Sequence, residues 1–147
     1  MSDAVRIDFD VVCPIQDAFE IWTQRIGTWW PADHTICGDP AAVVLEGRVG
    51  GRIYERTRQG DELDWGAVTG WRPPDRLSYR WHLGVGPEAA TNVEITFVAL
   101  DGATTRVEIV HSGWEYLGDA GPELQRRNHV GWESLVPHVK AAMEKEG

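Results

Sequence analysis

Apolar and polar residues change period along this chain, and each change marks an element. In "AVRIDFDVV" (4–12), Val5, Ile7, Phe9 and Val11 alternate with Arg6, Asp8 and Asp10, the two-residue period of a strand with one buried face. In "CPIQDAFEIWTQRIG" (13–27), Ile15, Phe19 and Trp22 follow at helical spacing. Pro14 suits a first helical position there, and Gly27 is expected to end the segment. From about residue 42 to 111 six strand-like runs follow: "AVVLEG", "RIYERTR", "LDWGAVTGW", "RLSYRWHL", "NVEITFVAL" and "TTRVEIVH". Turn formers separate several of them, namely Gly50-Gly51, Gly60-Asp61, Pro73-Pro74-Asp75 and Asp101-Gly102. The last of these predicts a two-residue hairpin loop. Finally "GPELQRRNHVGWESLVPHVKAAMEKE" sets Leu124, Asn128, Gly131 or Trp132, Leu135, Val139 and Ala142 or Met143 on one helical face. Pro137 inside that pattern predicts a kink or local break.

The expected fold class is therefore α+β: a curved antiparallel sheet of six to seven strands wrapped around a long C-terminal helix, with one or two short helices after the first strand. A length of 147 residues, without repeat or linker, predicts one domain over 1–147. Eight tryptophans require a large apolar interior or a large apolar site. Fourteen basic against 23 acidic residues give a net charge of −9, which repels phosphate backbones and anionic lipid and argues against nucleic-acid and membrane partners. No apolar run approaches the roughly 20 residues that cross a bilayer, and the start does not read as a signal segment, so a cytoplasmic location is expected. Cys13 and Cys37 lack paired spacing and are expected as free thiols.

The order of elements, with "WWP" after the first helix, "GG" at 50–51, "WGAVTGWRPPDRLSYRW" at 65–81, "TRVEIVHSGW" at 105–114 and "GW" at 131–132, resembles the START-like, helix-grip superfamily. Within it the chain is similar to the branch related to the activator of Hsp90 ATPase. The resemblance implies a cavity between the concave sheet face and the C-terminal helix. It also implies a function among small-molecule binding, cyclase or hydrolase catalysis, and co-chaperone-like interaction.

Strand alternation points Tyr79, Trp81, Val93, Ile95, Phe97, Val107, Ile109 and His111 to one side, and the helical face carries Asn128 and Trp132 opposite. Trp29 and Trp30 fall on the link between first helix and sheet, either as the lip of the cavity or as a cap on the core. The expected ligand-binding set is Trp29, Trp30, Trp65, Tyr79, Trp81, Phe97, Ile109, His111, Asn128 and Trp132. Within it His111 is either a core histidine hydrogen-bonded to backbone or a polar handle in an apolar pocket.

Catalytic signals are scattered. His34 and Cys37 lack a second ligand pair, so no metal is expected, and no nucleophile elbow, phosphate loop or other cofactor signature occurs. His111 and Tyr116 are the candidate acid-base residues, with His129 and Glu133 one helical turn apart. The favoured partner is an apolar or aromatic small molecule, a homodimer being compatible. The alternatives are a cyclase or hydrolase using the same cavity, and a protein-interaction module.

Overall fold

Alternation is realised strand by strand in the computed structural model, which describes residues 4–146. Strand β1 (Val5–Val11) leads into helices α1 (Ile15–Thr23) and α2 (Ile26–Trp29). The strands β2 (Ala42–Leu45), β3 (Arg52–Arg56), β4 (Glu62–Arg72), β5 (Arg76–Trp81), β6 (Thr91–Ala99) and β7 (Thr105–Ser112) follow, and helix α3 (Gly121–Glu146) closes the fold. One antiparallel sheet holds all seven strands in the order β1-β7-β6-β5-β4-β3-β2 and curls around α3. No helix among the described residues is long and apolar enough to cross a membrane.

The inward faces are those that the alternation specifies. Leu77, Tyr79 and Trp81 of β5, Val93, Ile95 and Phe97 of β6, and Val107, Ile109 and His111 of β7 are buried against Trp132, Leu135, Val139 and Met143 of α3. On the outer face charges meet across strands: Arg106 of β7 holds Asp10 of β1 at 2.9 Å, Arg76 of β5 holds Glu94 of β6, and Arg52 of β3 reaches Glu62 and Asp64 of β4 at 2.8 and 2.7 Å. Each exposed pair adds little stability, but together they favour the correct neighbours.

Three local expectations are corrected. Gly27 lies inside α2 rather than ending a helix, and a Cβ there would come within 2.9 Å of the Val43 carbonyl, so glycine lets α2 rest on β2. Asp101-Gly102 is not a two-residue hairpin. Gly102 does not adopt the positive φ that such a turn needs, and the Asp101 carboxylate instead accepts the Ala103 amide at 2.8 Å within a longer loop. Of the kink or break expected at Pro137, the break does not occur: α3 spans 26 residues through the proline, and burial of Leu135, Val139 and Met143 on both sides of it outweighs the one lost backbone bond.

Six tryptophans belong to the buried core. Trp22 packs on Trp29 and Trp132 with ring centroids 5.4 and 6.2 Å apart, while Trp30 touches Trp29, Trp65 and Trp81 at 5.5, 5.0 and 5.8 Å. Trp22 Nε1 is the one sealed side-chain polar atom among the described residues without a hydrogen bond of acceptable geometry, although its dipole acts on the nearby Tyr79 hydroxyl. Cys13 is buried, its thiol pushed up to about 11 chiefly by that burial, and Cys37 is exposed; both are free thiols.

One charged group sits inside. Glu55 shares strand parity with Ile53 and is fully buried, its carboxylate accepting the amides of Ile36 and Cys37 at 2.6 and 2.9 Å and the Trp65 indole N–H at 2.7 Å. Burial alone would raise its pKa, yet these bonds, with that of the Cys37 thiol, hold it below the ordinary carboxylate value. The unfolded chain therefore takes up this proton first on acidification, so the stabilisation is complete at neutral pH and is lost as pH falls through the lower folded value. Glu55→Ala should cost about 2–4 kcal/mol in urea melts at pH 7, since it leaves several buried donors unpaired, and it should flatten the acid limb of the stability profile.

Candidate functional site

A pocket of about 270 Å³ remains open at one end of the grip, where β5 ends and the turn at Ala32–His34 approaches α3. Trp30, Trp81, Trp114 and Trp132 form its flat apolar walls together with Leu83 and Leu135. Asp33, His34, Arg127 and Asn128 stand among its polar lining residues. Gly131, in the middle of α3 and one residue before Trp132, also lines the pocket, and a Cβ built on it meets nothing within 4 Å.

Of the expected ligand-binding residues, Trp30, Trp81, Asn128 and Trp132 meet at this pocket. The others lie in the packed interior. Trp29 turns inward onto Trp22 and donates its indole N–H to the Ile21 carbonyl at 2.8 Å, so it forms core and not lip. Trp65 is bound to Glu55, Phe97 packs edge-on against Phe19 at 5.3 Å, and Tyr79 and Ile109 are sealed beneath. The expected acid-base pair does not assemble, since Tyr116 is 83% exposed while His111 is fully buried. His129 and Glu133 form an exposed pair at 4.0 Å.

Sequence reading missed several lining residues, among them Leu83, Thr91, Trp114, Leu117 and Arg127. Thr91 carried a usable signal, being inward by parity with Val93, as did the lining residues Leu124 and Leu135, which share the helical face of Asn128 and Trp132. Leu83, Trp114 and Leu117 lie in irregular or 3-10 segments, where no period assigns a face.

His111 stands behind the wall and is a core histidine, tied by side chains rather than by backbone. The Trp132 indole can only donate, so its 2.9 Å contact makes His111 Nδ1 the acceptor. The proton therefore sits on Nε2, which donates to Thr91 Oγ1 at 2.6 Å, and the Thr91 hydroxyl in turn donates to the Trp81 carbonyl at 3.3 Å. Burial holds the imidazole neutral, with its pKa lowered to about 3. Both nitrogens are occupied, so His111 positions Trp132 and has no free lone pair for a ligand.

The remaining indoles separate the pocket from the core. Trp30 donates to the His34 carbonyl at 3.0 Å and Trp114 to the His111 carbonyl at 3.0 Å. Trp81, which lines the pocket, has no acceptor for its Nε1 proton among the described residues, and unlike Trp22 Nε1 this atom is not sealed from solvent. Asn128 donates its amide N–H to the Leu124 carbonyl at 2.9 Å, which leaves its carbonyl oxygen available. Among the described residues no cluster of His, Cys, Asp or Glu could hold a metal ion.

Comparison with known proteins agrees with this architecture. A family model described as activator of Hsp90 ATPase homolog 1-like protein matches residues 12–144. No curated protein matches the chain. Among solved structures, the self-sacrificing resistance protein CalC from Micromonospora echinospora superimposes with a TM-score of 0.76 at 26% identity, covering 99% of this chain and 96% of that one. The anthrahydroquino-γ-pyrone synthase Txn09, solved in complex with SUM, is 32% identical over 83% of this chain and 84% of its own, with a TM-score of 0.60. The Aha1 dimer from Colwellia psychrerythraea shares the fold at 18% identity, with a TM-score of 0.69 over 97% of both chains.

His111 should stay neutral, with its proton on Nε2, across pH 5–8 when followed by histidine side-chain NMR. The unfolded residue protonates near pH 6.5, so this group lowers stability progressively as pH falls below that value. His111→Leu leaves the Trp132 N–H without an acceptor and should cost about 2–4 kcal/mol in denaturant melts at pH 7. Titration of His111 near pH 6.5 would contradict the assignment.

Proposed function

Since the chain belongs to the activator of Hsp90 ATPase homolog 1-like family, whose fold does not by itself fix an activity, we propose that it binds a flat aromatic small molecule in the pocket between Trp30, Trp81 and Trp132. The observation that carries this reading is Gly131. A glycine in a helix interior costs about 1 kcal/mol relative to alanine, and here nothing crowds its Cβ position, so close packing does not require it. What glycine provides is room, on the side of α3 that faces the tryptophan wall.

The shape and chemistry of the lining support an aromatic occupant. Indole faces offer broad, rigid contact, while a few polar groups set orientation. Two relatives add weight: one is named as the synthase of a polycyclic aromatic, an anthrahydroquino-γ-pyrone, and the other as a resistance protein. The catalytic alternative built on His111 and Tyr116 gains nothing from the geometry, because one is engaged on both nitrogens and the other faces solvent.

Gly131→Ala should raise stability by about 0.5–1 kcal/mol, and Gly131→Phe should fold yet fill the pocket. In calorimetric titration with naphthalene- and anthracene-based compounds, the wild type should bind saturably and the Phe variant should lose binding at least tenfold. Absence of binding by the wild type, or equal binding by the variant, would remove the proposal.

A further inference from the structure

We infer that Trp81 is the specificity residue of this pocket, and that its indole N–H selects an aromatic ketone or quinone whose carbonyl oxygen enters first. The inference rests on the aromatic-binding reading above and deepens it. Trp29, Trp30, Trp65, Trp114 and Trp132 each place the indole proton on a protein acceptor between 2.7 and 3.0 Å away. Trp81 has no such acceptor among the described residues, although it is only 7% exposed and lines the pocket.

A nearly buried donor with no acceptor of its own imposes a requirement on whatever displaces water from it. A hydrocarbon edge placed there strands the N–H; a carbonyl oxygen satisfies it. The discrimination is therefore directed against ligands that lack an acceptor, which is the stronger sense in which a polar site selects. The neighbouring groups are poorer selectors. The Thr91 hydroxyl is already committed to His111 and the Trp81 carbonyl, and Arg127, at the exposed end, acts through water-screened charge. Asn128 has a free carbonyl oxygen, an acceptor that complements a hydroxyl elsewhere on the same ligand.

The test compares acetylnaphthalene with ethylnaphthalene, two probes of similar size that differ in the carbonyl, on the full chain. Trp81→Phe should weaken the ketone about three- to tenfold more than the hydrocarbon in calorimetric titration. Independently of that variant's folding, the Trp81 indole proton of the wild type, assigned among the side-chain signals in a nitrogen-edited NMR spectrum, should move downfield with the ketone and stay in place with the hydrocarbon. An unmoved Trp81 signal on ketone binding, or an equal loss for both probes in a folded Trp81→Phe protein, overturns the assignment while the pocket stands. Failure of both probes to bind the wild type overturns the pocket reading and the assignment with it.

Discussion

The hydrogen bond from Trp132 to His111 fixes the distance and rotation of the long helix relative to the sheet. A large apolar ring packed on a smooth sheet could slide; an indole whose only proton must find one imidazole nitrogen cannot. The same imidazole grips Thr91 of β6 through its other nitrogen, and Thr91 reaches the main chain of β5. One neutral side chain thus locks α3, β7, β6 and β5 into a single arrangement. Because Trp132 and Trp81 are both ends of this relay and both walls of the pocket, the pocket inherits its shape from the lock.

Glu55 performs a comparable task at the opposite wall. It ties β3 to the loop at Ile36-Cys37, which continues directly from the turn bearing His34, and it also orients Trp65, on which Trp30 rests at 5.0 Å. The two devices differ in charge but share a principle: a polar group sealed from water, with its hydrogen-bonding capacity used, specifies geometry that apolar contact leaves loose. Between them the tryptophans supply bulk and the polar relays supply position.

Periodicity exposed most of this architecture because it reports which face of an element is buried. Val93, Ile95, Phe97, Val107, Ile109 and His111 are inward for a reason visible in the alternation, and Leu135, Val139 and Met143 for one visible in the helical repeat. Parity does not say how large side chains interdigitate once they meet. Tyr79, Phe97 and Ile109 therefore belong to the same face as Trp81, yet fill the core. Glu55 carried a legible sign, its parity with Ile53, but a carboxylate at an inward position reads as solvent-facing until the donors around it are seen. Two of those donors come from a loop 18 and 19 residues away and the third is the Trp65 indole of β4, beyond the reach of any local pattern.

The ring contacts that run from Trp132 through Trp22, Trp29 and Trp30 to Trp65 and Trp81 have an optical consequence. Indoles with centroids 5.0 to 6.2 Å apart exchange excitation rapidly, so light absorbed anywhere along this row is shared before it is emitted. A quencher seated against Trp30 or Trp81 drains the deep members of the row as well, and the emission of these six indoles becomes a report on one small opening at the protein's edge.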